Sequence, residues 1–270
     1  MSARILVTND DGVRAPGIRA LALAAHEAGY DVVVAAPREE ASGMSAALTA
    51  VTSEGRIVVE RHDWQDLVAY GVTASPAYIT VLAGLGVFGE PPDLVLSGIN
   101  RGANAGRAVL HSGTVGAALT AANDRVRAMA VSLDVLSPSD VDATASGGAA
   151  IVVPDDSVLH WETAARTAAD LLDWLTEAPA GTVLNLNVPD RSLDEVAGLR
   201  EATLAPFGQA QMALAESGEG FVRTAIEKTG EPLVPGSDIA LLAEGYATVT
   251  AIRPPSEISG VRLPAQRRSS

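Results

Sequence analysis

A mainly parallel α/β sheet is the architecture this sequence predicts, and three observations lead to it. The run Arg4 to Thr8 is short, β-branched and apolar, as a strand buried on both faces must be. It breaks into Asn9-Asp10-Asp11-Gly12, a polar turn punctuated by Gly12 and Gly17, and Pro16 suits the first turn of a helix. Asp31 to Ala36 is a second β-branched run, so strand, helix and strand make a β-α-β unit whose crossover is right-handed.

Each element can be justified in order. Ile18, Leu21, Ala22, Ala25 and Ala28 recur at helical spacing, and Gly29 stands where a left-handed residue would end that helix. Pro37 to Thr49 is a polar, small-residue loop leaving the carboxyl end of the second strand. Arg56 to Glu60 and Leu67 to Tyr70 read as short strands, and Ser75-Pro76 fits an N-cap and N1 pair opening a helix to about Leu85. Asp93 to Ser97 is a third buried strand, followed by Gly98 to Gly106, which is too glycine-rich to read as regular structure. Ser112-Gly113-Thr114 precedes a small-residue helix from Val115 to Ala122, and Ala128 to Leu133 is a further core strand.

Ser137 to Gly148 reads as a surface excursion. Trp161, Ala164, Ala165, Ala168, Leu171, Leu172 and Leu175 then trace one face of a single helix, followed by a strand from Thr182 to Asn187. From about Leu199 the pattern changes to short runs separated by Gly, Glu and Pro: Phe207 to Leu214, Phe221 to Ile226 and Tyr246 to Ile252. The expected organisation is an α/β catalytic core over 1–198, then a hairpin-rich arm, a returning strand and a tail over 199–270.

The 270 residues suffice for one large domain with a sizeable core, and 47% hydrophobic residues with a mean hydropathy of +0.20 exclude a chain that fails to collapse. A net charge of −14 disfavours a general electrostatic grip on a nucleic-acid polymer, and none is expected as a partner. The absence of cysteine removes disulfides, thiolate metal sites and cysteine nucleophiles together. No apolar run approaches the roughly 18 residues of a membrane span, and the short start before the first strand lacks a signal-peptide pattern, so a cytoplasmic protein without a membrane partner is expected.

In open α/β sheets ligands bind beyond the carboxyl ends of the strands, which places Asp10 and Asp11 at the functional edge together with two later loops. A site assembled from Asp10, Asp11, Ser42 and Asn100 offers only oxygen donors, and such a set suits Mg²⁺, Mn²⁺ or Ca²⁺ over Zn²⁺. Ser112, Gly113 and Thr114 complement it, because N–H groups at a helix start bind phosphate without a cation. Helix capping alone also accounts for Ser112, and a solvated turn accounts for Asp-Asp-Gly in isolation. Arg14, Arg101 and Arg107 lie in or beside these loops and are read as solvated surface arginines and left out of the site, although a guanidinium could bind phosphate bidentately.

The motifs Asn9-Asp10-Asp11-Gly12, Ser42-Gly43, Ser97-Gly98-Ile99-Asn100-Arg101-Gly102 and Ser112-Gly113-Thr114-Val115 resemble, in this order, those of the SurE family of metal-dependent nucleotidases. Leu186-Asn187-Val188-Pro189, Gly236-Ser237-Asp238 and Glu244-Gly245-Tyr246 are similar to its later landmarks. The resemblance implies a three-layer, Rossmann-like fold and a phosphatase of nucleoside 5′- and 3′-monophosphates, releasing nucleoside and phosphate. It implies one divalent ion per subunit on Asp10, Asp11, Ser42 and Asn100. It further implies a catalytic set of Asp10, Asp11 and Asn9, a phosphate lined by Asn9, Asn104, Ser112, Gly113 and Thr114, and a homodimer or homotetramer.

Two departures keep alternatives open. His111 stands where the family often carries tyrosine, and it reads either as a surface histidine or as a general acid. The arm from Ala205 to Pro235 is poor in aromatic residues, which leaves room for a specialised phosphorylated metabolite or for a non-catalytic nucleotide- or metal-binding module. Other phosphate chemistries are excluded: the single lysine, Lys228, belongs to no P-loop, asparagine stands where an Asp-x-Asp nucleophile would be, and no Gly-x-Ser-x-Gly elbow occurs.

Overall fold

The computed structural model describes residues 2–64, 67–135, 155–206, 210–218, 221–228 and 232–257. The expected excursion at Ser137 to Gly148 and most of the tail lie outside the described residues. Strand β1 (Arg4–Thr8), helix α1 (Pro16–Glu27) and strand β2 (Asp31–Pro37) form the opening unit, with β1 and β2 parallel. Gly29, at φ +92°, takes the left-handed position that ends α1. A small ladder of β3 (Thr52–Ser53) and β4 (Arg56–Ile57) precedes β5 (Val59–Trp64) and β6 (Leu67–Val72), and β6 joins β2 in parallel. Helix α2 (Pro76–Gly84) starts at Ser75, whose hydroxyl accepts the Tyr78 N–H, and leads to β7 (Leu94–Arg101).

The third strand is longer than the sequence suggests. Gly98 to Arg101 belongs to β7, with pairing to the next strand interrupted after Ser97 and resumed at Asn100 opposite Ser132. Glycine is required at 98 because a Cβ there would meet the Val131 carbonyl oxygen at 2.2 Å. A short 3-10 helix (Gly106–His111) leads into α3 (Gly113–Asn123) and then β8 (Arg127–Asp134).

The single helix expected over Trp161 to Leu175 is two, α4 (Trp161–Ala169) and α5 (Leu172–Glu177). A tight turn, in which the Leu171 N–H donates to the Ala168 carbonyl, separates them. Ala164, Ala168, Leu172 and Leu175 all remain fully buried across the break. The chain continues through β9 (Val183–Pro189), β10 (Leu199–Glu201), the isolated antiparallel hairpin β11 (Ala210–Gly218) and β12 (Phe221–Lys228), α6 (Asp238–Ala243) and β13 (Ala247–Ile252).

Nine strands make one sheet in the order β10-β13-β9-β8-β7-β1-β2-β6-β5. The six from β9 to β6 are parallel, whereas β5 and β13 pair antiparallel with β6 and β9. Alternation along β1 serves both faces. Ile5 and Val7 pack with α1, α4 and α5, while Leu6 packs with α2 and α3, giving three layers. The strand order reverses at β1, so the crevice beyond the carboxyl ends of β1 and β7 is where this topology leaves room for a ligand. Among the described residues, no helix is long and apolar enough to cross a membrane.

Candidate functional site

The turn after β1 is built to hold its shape. The fully buried Asn9 donates its amide to the Gly12 carbonyl at 3.1 Å and accepts the Gly12 N–H at 3.1 Å, closing Asn9 to Gly12 on itself. Gly12 has φ +100°, and the Val13 N–H donates to the Pro37 carbonyl at 2.8 Å, tying the turn to the end of β2. The Ala41 N–H donates to the Asp10 carbonyl at 2.7 Å, so the loop carrying Ser42 is moored to the same turn. That loop also rests on α3: a Cβ at Gly116 would meet the Ser45 carbonyl oxygen at 2.3 Å.

Asp10 is 4% exposed and lies against the amino end of α3. The Thr114 hydroxyl donates to Asp10 Oδ1 and, at 3.3 Å, faces Asn100 Oδ1, which joins the loop after β1, the end of β7 and α3 through one side chain. A Cβ on Gly113 would lie 2.7 Å from Asp10 Oδ2, so only glycine lets the helix start approach this carboxylate. The Asn100 amide nitrogen donates to the Gly102 carbonyl at 2.7 Å, which turns its oxygen toward Thr114 and Asp10. Asp11 is half-buried and accepts the Arg101 N–H at 3.3 Å.

Burial raises the Asp10 carboxyl above its ordinary range, opposed by hydrogen bonds from the Thr114 hydroxyl and from the N–H groups of Thr114 and Gly113. Asp11 is pushed up to about 7, by burial first and then by the charge of Asp10, with Glu40 and Asp156 adding to it. None of the ion pairs among the described residues engages either aspartate. Two crowded carboxylates without a cationic partner, beside an inward-turned amide oxygen, fit a hard divalent ion. Among the described residues no three His, Cys, Asp or Glu side chains cluster as a metal centre, so an ion here depends on the aspartates together with neutral oxygens.

A cleft of about 550 Å³ opens over this cluster and brings Asp10, Asp11, Ser42, Asn100, Asn104 and Ser112 together. Ser42 stands at the exposed rim, its hydroxyl donating to Glu40 at 2.7 Å and not to the aspartates. Ser112 caps α3 by accepting the Val115 N–H at 3.1 Å. Gly113 and Thr114 lie against Asp10 at the start of α3. Asn104 is wired from below: its N–H donates to Asn187 Oδ1 at 2.8 Å, and its carbonyl accepts amide hydrogens from Asn185 and Asn187 at 2.8 and 3.1 Å. Its own amide donates to Ser132 at 2.9 Å.

Sequence reasoning left out several residues that line the cleft. Arg14 and Arg101 both face it, with Arg101 Nε 3.2 Å from Asp156, whereas Arg107 is not part of the lining. Glu40, Asp156 and Trp161 complete the wall, and the Trp161 indole N–H donates to the Asp156 carbonyl at 3.0 Å. His111, exposed at the end of the 3-10 helix, also lines it. Asp156 and Trp161 are some 55 residues downstream of β7, and only the signal of an apolar helix face marked Trp161 at all.

Comparison with known proteins agrees with this architecture. The family model described as Survival protein SurE matches residues 5–212. The 5′-nucleotidase SurE of Desulfovibrio desulfuricans is 35% identical over 252 residues, covering 92% of this chain and 91% of its own. The 5′/3′-nucleotidase SurE of Shigella dysenteriae is 35% identical over 255 residues, covering 93% and 90%. The crystal structure of the SurE protein from Aquifex aeolicus superposes with a TM-score of 0.71 at 26% identity, covering 93% of both chains. With the family model matching residues 5–212 and relatives about 35% identical over more than nine-tenths of its length, the chain belongs to the SurE family.

Proposed function

We propose that this protein is a divalent-metal-dependent phosphomonoesterase that hydrolyses nucleoside 5′- and 3′-monophosphates to nucleoside and phosphate. The observation that carries the reading is the convergence of Asp10, Asn100 and Thr114 at the point where the strand order reverses, under a cleft of nucleotide size. The names of the relatives, 5′-nucleotidase and 5′/3′-nucleotidase, point to the same substrates.

Asp10, Asp11 and the Asn100 carbonyl are the groups that would hold the ion, with Ser42 at the rim as a fourth oxygen. When bound, a divalent cation supplies positive charge against the phosphoryl oxygens and acidifies water. The chain's own groups supply orientation. Ser112 uses an oxygen lone pair for its helix cap, which leaves its O–H to donate to a phosphoryl oxygen. Asn104 presents a side chain whose backbone is fixed by Asn185 and Asn187, so its position costs little reorganisation. Gly113, Thr114 and Asn9 serve one step back, holding Asp10 and its turn in place.

The test is phosphate release from a panel of nucleoside monophosphates with added Mg²⁺ or Mn²⁺. Activity should vanish with chelator, return with the ion, and fall by at least about 100-fold in Asp10→Asn, the upper end of what losing a supporting partner of a metal ligand costs. Tight nucleotide binding with no turnover under these conditions would instead identify a binding module.

A further inference from the structure

The cleft has more cationic equipment than hydrolysis of one phosphate uses. Its lining carries two arginines, and they differ in kind. Arg101 is committed to Asp156 across the cleft wall. Arg14 is exposed and has no ion-pair or hydrogen-bond partner for its guanidinium among the described residues. Its backbone is nonetheless fixed, because the flanking N–H groups of Val13 and Ala15 donate to Pro37 and Gly12 at 2.8 and 3.1 Å. A long side chain on a rigid turn, three residues from Asp11, presents a planar five-donor group to the same cavity as the aspartates.

Charge shows what such a group is for. Asp10, Asp11, Glu40 and Asp156 line the cleft together with Arg14 and Arg101, so a divalent ion brings the formal charge of these groups to zero. The whole chain is at −14. A ligand with a second dianionic group therefore gains no attraction from the general field and needs a local cation. Arg14 is that cation. The cavity's about 550 Å³ leaves room for more than one phosphate, and Ala15 and Pro16, between Arg14 and the body of α1, add an apolar wall suited to a sugar.

We propose that Arg14 forms a second phosphoryl subsite, by which the cleft prefers phosphomonoesters carrying another phosphoryl group on the same nucleoside, such as nucleoside 3′,5′-bisphosphates, to the corresponding monophosphates. This rests on the phosphatase reading above and names the substrate class of that same site. The guanidinium binds the phosphoryl group that is retained, while the Asp10–Asp11 end faces the one released as orthophosphate, its P–O ester bond being broken by water. The balance is that of a simple hydrolysis.

The experiment compares kcat/KM for a nucleoside 3′,5′-bisphosphate and its 5′-monophosphate, with Mn²⁺ present, in the native protein, Arg14→Ala, Arg14→Gln and Arg19→Ala. Arg19 lies outside the cleft, stacked on Trp64 at 5.9 Å, and serves as the control for loss of an exposed α1 arginine. The native protein and Arg19→Ala should favour the bisphosphate, and both Arg14 variants should lower that ratio by on the order of 10-fold, as expected for losing charge-assisted hydrogen bonds to an anion. A native ratio of one or less, or a ratio unchanged by either Arg14 variant, overturns the proposal. If neither ester is hydrolysed, the phosphatase reading has failed. Calorimetric titration of the same two compounds then tests the subsite: tighter bisphosphate binding that depends on Arg14 supports it, and equal binding overturns it.

Discussion

Thr114 joins three segments of the chain through one hydroxyl, and its replacement gives a sharp test at the scale of a single residue. Valine has nearly the same shape but offers Asp10 and Asn100 no donor, so both oxygens lose the contact that sets their separation. Thr114→Val should weaken Mn²⁺ binding by about 10- to 100-fold in calorimetry, the cost of losing an outer partner of metal ligands, with little change in the melting curve of the ion-free protein. Serine at the same position should restore most of the affinity. The aspartate pair itself was legible in sequence because an apolar β-branched run ending in Asp-Asp-Gly can only stop at a sheet edge. The contact of Gly113 and Thr114 with Asp10 was not, since a helix-start Ser-Gly-Thr shows only a cap or a phosphate cradle. Their closeness to Asp10 is set by how α3 docks, and no local pattern encodes that.

At the level of elements, the seat of α1 determines where the turn before it lies. Gly17 has no unusual dihedral requirement, yet a Cβ there would meet the Ile99 carbonyl oxygen at 2.3 Å and the Trp161 ring at 2.9 Å. The helix thus lies directly on β7 and on the start of α4. Gly17→Ala should destabilise the protein by about 1–3 kcal/mol in urea unfolding, the usual range for overfilling a packed contact, and should lower kcat because the Asp10–Arg14 turn moves with the helix. Most elements were readable from periodicity and caps. Two of those that differed did so for nonlocal reasons: Gly98 to Arg101 looks like a loop in isolation but regains a ladder with β8, and Trp161 to Leu175 is uniformly periodic yet divides at Asp170 and Leu171 with Leu172 and Leu175 still buried in the same core.

For the molecule as a whole, crowding two carboxylates at the strand-order reversal links stability to pH and to the ion. The folded Asp11 titrates near 7, well above the ordinary aspartate value of 3.8, so the folded chain holds this proton more tightly than the unfolded one. The metal-free protein therefore loses stability from this group as pH rises from about 4 to about 7. A divalent ion favours the ionised pair, which reverses the dependence. The upward shift in melting temperature on adding Mn²⁺ or Mg²⁺ should be clearly larger at pH 8 than at pH 5 by differential scanning fluorimetry, and equal shifts would show that the ion does not sit on this pair. Sequence alone indicated the acidic pair but not its degree of burial, which depends on α3 and on the loop after β2 closing over it.

The placement of β13 bears on how the chain is made. It lies between β9 and β10, and β9 is buried along all of its seven residues. During synthesis everything needed for the aspartate turn, β7 and α3 emerges first, while the far side of β9 has no neighbour until Ala247 to Ile252 appear some sixty residues later. Among the described residues β10 pairs with β13 alone, so it too must wait. Over that interval a nascent chain has its nucleotide-binding edge assembled and an apolar strand edge uncovered, the condition in which strands pair with the wrong molecule. The antiparallel return of β13 is thus the step that covers the open edge of β9 and gives β10 its neighbour.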